Sequence, residues 1–461
     1  MSEAVPGFRQ EQDSLGRLPV PKGALWGIHT ERALQNFAIS GIPLGRHRQL
    51  VRALAHVKKA AAQTNASLGL IPADVGRAVA AACDIVARGG ADDAFLVDVV
   101  QGGAGTSTNM NANEVIANLA LVQLGHKPGD YDKVDPIGHV NKCQSTNDVY
   151  PTAVRLALLF ALEGLQEQLE ALGEAFAEKG GEFASIPKIG RTQLQDAVPM
   201  TLGQEFTAFS VTVGEDILRL EEASSLLREC SLGATAIGTG ITAHPDYAAN
   251  VVEALSESSG MRLVRATDLI EATWDTGAFM TFSGALKRTA VKLSKISSDL
   301  RLLSSGPQAG LSEISLPARQ AGSSIMPGKV NPVIPEVVNQ IAYHVAGADL
   351  TVTMAAENGQ LQLNAFEPAI AHVLLQSVEW LANGCGALRE FCVSGIQANE
   401  AQLRQMARTS TAQATAFLPV LGYEMTADLA RRALDTGRSV SDIAVSDGLL
   451  EAGQAESLLQ L

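Results

Sequence analysis

Between residues 322 and 332 the chain reads Gly322-Ser323-Ser324-Ile325-Met326-Pro327-Gly328-Lys329-Val330-Asn331-Pro332. Gly322 and Gly328 permit backbone angles that other residues avoid, while Pro327 and Pro332 fix φ and block a continuing helix. Between them stand hydroxyls, a cation and a carboxamide. The set suits an acidic substrate: Lys329 can neutralise a carboxylate, Asn331 can orient it, and a serine can face the reacting carbon. Taken alone, a Gly/Ser/Pro run between helices also reads as a plain connector.

Three more polar stretches could join it. Gln101-Gly102-Gly103-Ala104-Gly105-Thr106-Ser107-Thr108-Asn109-Met110-Asn111 is glycine-rich but lacks the Gly-Lys-Ser/Thr ending of a nucleotide loop. Its glycines let backbone N–H groups approach an anion, with Thr106 and Ser107 beside the helix that follows. Read by itself it is an ordinary loop. His139-Val140-Asn141-Lys142-Cys143-Gln144-Ser145-Thr146-Asn147-Asp148 precedes Pro151. There Ser145, Thr146 and Asn147 can start a helix, or can receive a carboxylate with the same hydroxyls, amide and N–H groups. Gly190-Arg191-Thr192-Gln193-Leu194-Gln195-Asp196-Ala197-Val198-Pro199 is a polar connection between apolar flanks. Ser231 to Gly240 is a glycine-rich structural turn, placed close to the site.

The elements that must position these groups are helical. An irregular start rich in Pro and Gly leads to helices at about 49–67, 73–88 and 113–124, with Lys58 and Lys59 on a solvated face. From Ala153 onward, Leu158, Leu162, Leu165, Leu169, Leu172 and Phe176 recur at three- and four-residue steps. Phe206, Phe209, Val213, Ile217, Leu220 and Leu227 repeat the pattern, as do Leu286, Leu293, Ile296, Leu300 and Leu303. A fourth series begins near Val337, and a fifth runs from about Ala369 to Phe391. Helices of this length with narrow apolar seams pack as a bundle. They carry more apolar surface than one bundle buries, which predicts a homo-oligomer of closed symmetry. After about Val393 the pattern shortens into brief helices. The chain is thus expected to be mainly α, in three domains: a mixed, mainly helical 1–140, a central long-helix bundle 141–395 and a small helical 396–461.

Composition narrows the function. With 461 residues, 46% of them apolar, there is ample material for a large core. A net charge of −14 without a basic stripe excludes nucleic acid as a partner. It also means that a site for a dianion must be locally positive inside an acidic protein. Five scattered cysteines lack CxxC spacing and read as buried free thiols in a reducing compartment. No histidine pairing suggests a metal. Met1 to Gln12 is polar and acidic, unlike a signal peptide, and the apolar run Leu156–Leu162 is too short to span a bilayer. A soluble cytoplasmic protein is expected.

The order of residues in GSSIMPGKVNP resembles the signature loop of the aspartase/fumarase superfamily, lyases that eliminate across a carbon–carbon bond to leave fumarate. HVNKCQSTND at 139–148 resembles another motif of that family, and the likeness extends over nearly the whole chain. NFAIS at 36–40, GRTQLQDAVPMTLGQEF at 190–206, NPVIPEVVNQ at 331–340 and LQLNAFEP at 361–368 are similar to the aspartase branch. Fumarases typically carry lysine where Glu367 stands. The resemblance implies elimination of ammonia from L-aspartate, with fumarate hydration as the alternative and a catalytically silent helical scaffold as a remote one. It implies Ser323 as the base, Ser324 beside it, and Lys329 and Asn331 on the α-carboxylate. Thr106, Ser145, Thr146 and Thr192 would serve the β-carboxylate, Asn147 the amino group, and Ser107, Gln193 and Met326 would line the substrate. Gln193 stands where many relatives carry a histidine paired to a glutamate at the place of Glu336. It cannot titrate, so no such relay transfers. The resemblance further implies a homotetramer whose sites each draw on three subunits. No cofactor is required in that reading, and activation by a divalent cation such as magnesium stays open.

Overall fold

A computed structural model describes residues 6–459. In chain order the strands β1 (Phe8–Asp13) and β2 (Gly16–Pro21) precede α1 (Ile28–Asn36), α2 (Arg48–Ser67), α3 (Ala73–Ala87), α4 (Thr106–Gln123) and α5 (Thr146–Glu182). Then come β3 (Pro187–Thr192), β4 (Gln195–Thr201), α6 (Leu202–Ser224), β5 (Glu229–Cys230), α7 (Tyr247–Ser259), β6 (Val264–Arg265), α8 (Glu271–Trp274) and α9 (Gly277–Leu303). The remainder is β7 (Ile314–Ser315), α10 (Val333–Glu357), α11 (Glu367–Phe391), β8 (Gln397–Ala398), α12 (Glu400–Thr409), α13 (Ala414–Thr436), α14 (Val440–Ser446) and α15 (Ala452–Leu458). Helix accounts for 63% of the chain, and the strands form only two-stranded sheets, so the mainly α expectation holds.

Two compact units divide the chain. The first takes the described residues of Met1–Leu165, Leu218–Arg288 and His344–Trp380; the second takes those of Gln166–Ile217, Thr289–Tyr343 and Leu381–Leu461. In the first, α2 packs against α3 and α7, and α3 against α4. In the second, Phe176, Phe183, Phe206 and Phe209 meet with ring centroids 5.3–6.3 Å apart. Edge-on aromatic contacts of this kind add about 0.5–1.5 kcal/mol beyond the area they bury. The second unit also holds a separate apolar cluster of Phe417, Leu429, Ala433, Val440, Ile443 and Ala444.

The seam positions behave as their spacing requires. Leu158, Leu162, Leu165, Leu169, Leu172 and Phe176 of α5 are buried, as are Leu286, Leu293, Ile296, Leu300 and Leu303 of α9. On α6, Phe206, Phe209, Val213 and Leu220 are buried while Ile217 is half-buried. The long helices α6, α9 and α10 leave Val211, Leu218, Val291, Tyr343, Leu350 and Met354 more than half exposed. The five cysteines are buried and free. No helix among the described residues is long and apolar enough to cross a membrane.

Several expectations need correction. The irregular start contains the antiparallel pair β1–β2, with Phe8 opposite Pro21. The connection at 190–199 is mostly strand, because Thr192 pairs with Gln195 and closes a two-residue turn. Gln193 and Leu194 both take positive φ, at 53° and 63°. The helix expected from Asn113 begins at Thr106, and α5 begins at Thr146, ahead of Pro151. The shortened pattern after Val393 includes the 23-residue α13, bent at Gly422, whose φ of 74° interrupts the helix. Lys58 is not on a solvated face: it is fully buried, and Lys59 pairs with Asp84 at 2.7 Å.

Candidate active site

In the first unit the polar stretches at 101–111 and 139–148 meet. Gly103, Ala104 and Gly105 hold φ of 93°, 54° and 87° in succession, which turns the chain sharply into α4. A side chain at Gly105 would stand 2.4 Å from the Tyr150 ring, so glycine is needed there for space as well as for φ. Thr106 opens α4, exposed, and its hydroxyl donates to the Gly103 carbonyl at 2.7 Å. Ser107 is half-buried beside it. One turn further, the Asn109 amide donates to Thr146 Oγ1 and to Asn141 Oδ1, both at 3.1 Å.

Asn141 Oδ1 is a hub. It accepts from Asn109, from the Asn113 amide at 3.2 Å and from Lys58 Nζ at 2.9 Å. Lys58 also donates to Gln144 Oε1 at 2.9 Å. Burial pushes the Lys58 ammonium down to about 7, with Asp148 pulling it back up. Asp148 is itself fully buried, and burial raises its carboxyl to about 6 against the N–H groups of Ser145, Thr235 and Gly233. The Ser145 hydroxyl accepts from the Asn147 N–H at 3.3 Å, and the Asn147 amide donates to the Ala236 carbonyl at 2.8 Å. The glycine-rich 231–240 turn therefore lies against Asn147 and Asp148.

Near the start of α5, Arg155 and Glu367 are both buried. Burial lifts the Glu367 carboxyl to about 8, opposed by the Arg155 charge. Glu367 is thus an enclosed carboxyl, and a lysine in its place would carry the same sign of charge as Arg155.

The second unit holds the remaining candidates. Thr192 and Gln193 are exposed on the β3–β4 turn. That hairpin is anchored by Lys188, which pairs with Glu205 at 2.5 Å and Glu313 at 2.8 Å, and by Arg191, 2.6 Å from Glu313. Lys188 and Glu313 are almost wholly buried. In the 322–332 loop the Gly322 N–H donates to the Lys329 carbonyl at 2.7 Å, and the Asn331 amide donates to the Gly322 carbonyl at 3.1 Å. Gly328 has the left-handed φ of 81° expected of it. Gly322 does not; it is required because a Cβ would lie 2.5 Å from the Lys329 carbonyl oxygen. Ser323 Oγ accepts from the N–H groups of Ile325 and Met326, each at 3.1 Å. Ser324, Met326 and Lys329 are exposed, and Ile325 is 83% exposed. Glu336 lies 4.0 Å from Arg301 Nε.

Thr106, Ser107, Ser145, Thr146 and Asn147 thus belong to one unit, and Thr192, Gln193, Ser323, Ser324, Met326, Lys329 and Asn331 to the other. Reading by residue type missed Lys58, Asn109, Asn113 and the anchoring role of Asp148. The available signal was the run of asparagines at 109, 111, 113 and 118, polar residues recurring inside a helix that should have been apolar there. Among the described residues no cluster of three His, Cys, Asp or Glu side chains is arranged to hold a metal.

The arrangement offers hydroxyls and amides at the start of α5 for a carboxylate, and a serine oxygen resting on two N–H groups. A family model described as "Lyase" matches residues 16–347, and one described as "Fumarase C C-terminus" matches 414–461. The chain is similar to the aspartate ammonia-lyase of Pseudomonas fluorescens, at 55% identity over all of this chain and 96% of that one. It is 50% identical to the aspartate ammonia-lyase of Escherichia coli strain K12, over 98% of this chain and 95% of that one. Among solved structures, the cobalt-bound fumarate lyase:delta crystallin of Brucella melitensis superposes with a TM-score of 0.95 at 56% identity, over 98% of both chains. The class II fumarase of Schistosoma mansoni superposes with a TM-score of 0.91 at 32% identity, again over 98% of both.

Proposed function

The chain belongs to the lyase family of aspartases and fumarases, and from that membership we infer that it is an aspartate ammonia-lyase, converting L-aspartate reversibly to fumarate and ammonia. The observation that carries the substrate is identity of 50–55% over essentially the whole chain to aspartate ammonia-lyases, against 32% to a fumarase. Glu367, enclosed where fumarases typically carry lysine, supports the same choice.

The Cβ proton of aspartate is a very weak acid. Its removal requires the developing charge to move into the β-carboxylate, which becomes an enediolate with about two negative charges. In this reading Ser323 takes that proton as an alkoxide. Its oxygen already accepts two backbone N–H groups, which favour the ionised form, and Lys329 of the same loop would add a positive charge. The electron pair returning from the enediolate forms the double bond as the Cα–N bond breaks and ammonia leaves. Lys329 and Asn331 hold the α-carboxylate, Ser324 supports Ser323, and Ser107 and Met326 line the substrate. Thr106, Ser145, Thr146 and Thr192 hold the β-carboxylate and enediolate. Asn147 receives the amino group, and Gln193 is a hydrogen-bonding contact that does not titrate. Asn331 gives one amide N–H to the Gly322 carbonyl and keeps a second for the substrate as the loop closes.

The same proposal includes a homotetramer with sites drawn from three subunits, a three-domain division at 1–140, 141–395 and 396–461, a cytoplasmic location, and no cofactor in the chemical step. Exposed Val211, Leu218, Val291, Tyr343, Leu350 and Met354 on the long helices support an association that covers them. An ultraviolet assay for fumarate, run separately with L-aspartate and L-malate, tests the reading. Fumarate from aspartate is expected; fumarate from malate alone, or from neither, would overturn it.

A further inference from the structure

We propose that the Ser231–Gly240 loop is the part of the site that selects an ammonium group, with Asp148 as the positioning residue that sets it and Asn147 as the side chain it aims. The inference rests on the ammonia-lyase reading above and extends it to residues outside the substrate contacts already named. Asp148 is fully buried at the start of α5. Its Oδ1 accepts from the Ser145 N–H at 2.9 Å, and its Oδ2 accepts from the N–H groups of Gly233 at 3.0 Å and Thr235 at 2.9 Å. One carboxylate therefore ties the turn before α5 to the glycine-rich loop.

The loop is held in a shape it would not choose alone. Thr235, β-branched and buried, sits at φ 57°, a conformation that costs such a residue roughly 1–3 kcal/mol. Gly233, at φ 97°, has no room for a side chain, since a Cβ would stand 2.5 Å from that of Ala248. Two charge-assisted bonds to Asp148 offset that strain. The result is that the Ala236 carbonyl faces Asn147 at 2.8 Å.

A carbonyl only accepts, so the group opposite it must be the Asn147 NH2, and the amide oxygen is directed elsewhere. Asn147 thereby has its Oδ1 left to accept from the substrate, next in the chain to Ser145 and Thr146, whose hydroxyls can donate. An acceptor repels a carboxylate and welcomes an ammonium. The orientation of one amide, set from behind by the loop, distinguishes the nitrogen end of the substrate from its carboxylates.

The amination direction separates the two ligands, because ammonia and fumarate are varied independently. With the full-length enzyme, Asp148→Asn should raise KM for ammonia about tenfold or more while KM for fumarate changes less than about threefold. Ala236→Pro provides a second variant at an exposed position. The proline drives residue 235 out of its left-handed conformation and so unseats the same carbonyl. It should show the same split, with unchanged circular dichroism. KM values that rise together, or an unchanged KM for ammonia in a folded variant, would overturn the proposal. A wild-type chain that makes no fumarate from L-aspartate would remove both the reading above and this inference. A wild type that does, combined with unsplit variants, removes this inference alone.

Discussion

The turn at 141–148 and the loop at 322–332 are both short polar segments in a helical chain, yet they hold their side chains by opposite means. In the turn, Asn141, Thr146 and Asp148 are tied to groups from other elements: Lys58 on α2, Asn109 on α4, and the backbone beyond β5. In the loop, the bonds of Gly322, Ser323 and Asn331 close within the loop itself. Burial makes the first set expensive to disturb, since each lost partner leaves a polar group away from water. The second set is only half-buried, in a loop whose residues 324–330 are exposed, which makes it less costly to rearrange. In the proposed reading Ser145 and Thr146, which would receive the β-carboxylate, are on the tied turn, while Ser323, Lys329 and Asn331 are on the self-contained loop.

Substitutions can break that contrast or sharpen it. The largest effect is expected from Ser323→Ala, which should lower kcat by at least about 10³-fold without altering helicity, because that side chain bonds only to the Ile325 and Met326 N–H groups of its own loop. Stopped turnover with an unchanged circular dichroism spectrum would confirm it, and near-normal turnover would remove Ser323 as the base. Next, Lys329→Ala should raise KM for L-aspartate about 10- to 100-fold, the loss of one charge-assisted contact. A KM and kcat both like wild type would refute that role. Gly322→Ala places a methyl 2.5 Å from the Lys329 carbonyl and should open the pinch of the loop. We expect about a tenfold fall in kcat/KM with little change in the urea midpoint, and a large loss of stability would contradict the view of a self-contained loop.

The smallest effect belongs to the rigid side and is read in stability. Lys58 has its folded-state value lowered from 10.5 to about 7, so between those pH values the unfolded chain binds more protons than the native one. Stability from this group therefore rises with pH across that window and falls as pH drops through 7, by at most about 1.4 kcal/mol per pH unit. Lys58→Met should flatten the rise in urea midpoint between pH 7 and 10. Identical slopes in the two proteins would show that Lys58 is not enclosed as described.

The long helices were legible because their apolar residues repeat at helical spacing and nothing else competes for those positions. The seam residues Leu158, Leu162, Leu165, Leu169, Leu172 and Phe176 could be read off directly, and all are buried. The start of α4 was not legible, because the face it buries is lined with asparagines rather than leucines, and a search for apolar periodicity passes over it. The same blindness put Lys58 on the surface. A lysine beside another lysine looks solvated until two amide oxygens from eighty residues away are seen to meet it. The hairpin at 187–201 was hidden for a different reason: Gln193 and Leu194 adopt the left-handed turn without the Gly or Asn that would announce it.

Residue order alone determined the mainly helical class, the apolar seams, and the serine, lysine and amide of the 322–332 loop, since each depends on local spacing or on side-chain chemistry. Only the tertiary structure decided which polar groups are enclosed and which oxygen or nitrogen of an amide faces a ligand. Those properties depend on partners contributed by distant segments. A side chain's proton affinity and orientation follow from what burial brings against it, and no local pattern records that.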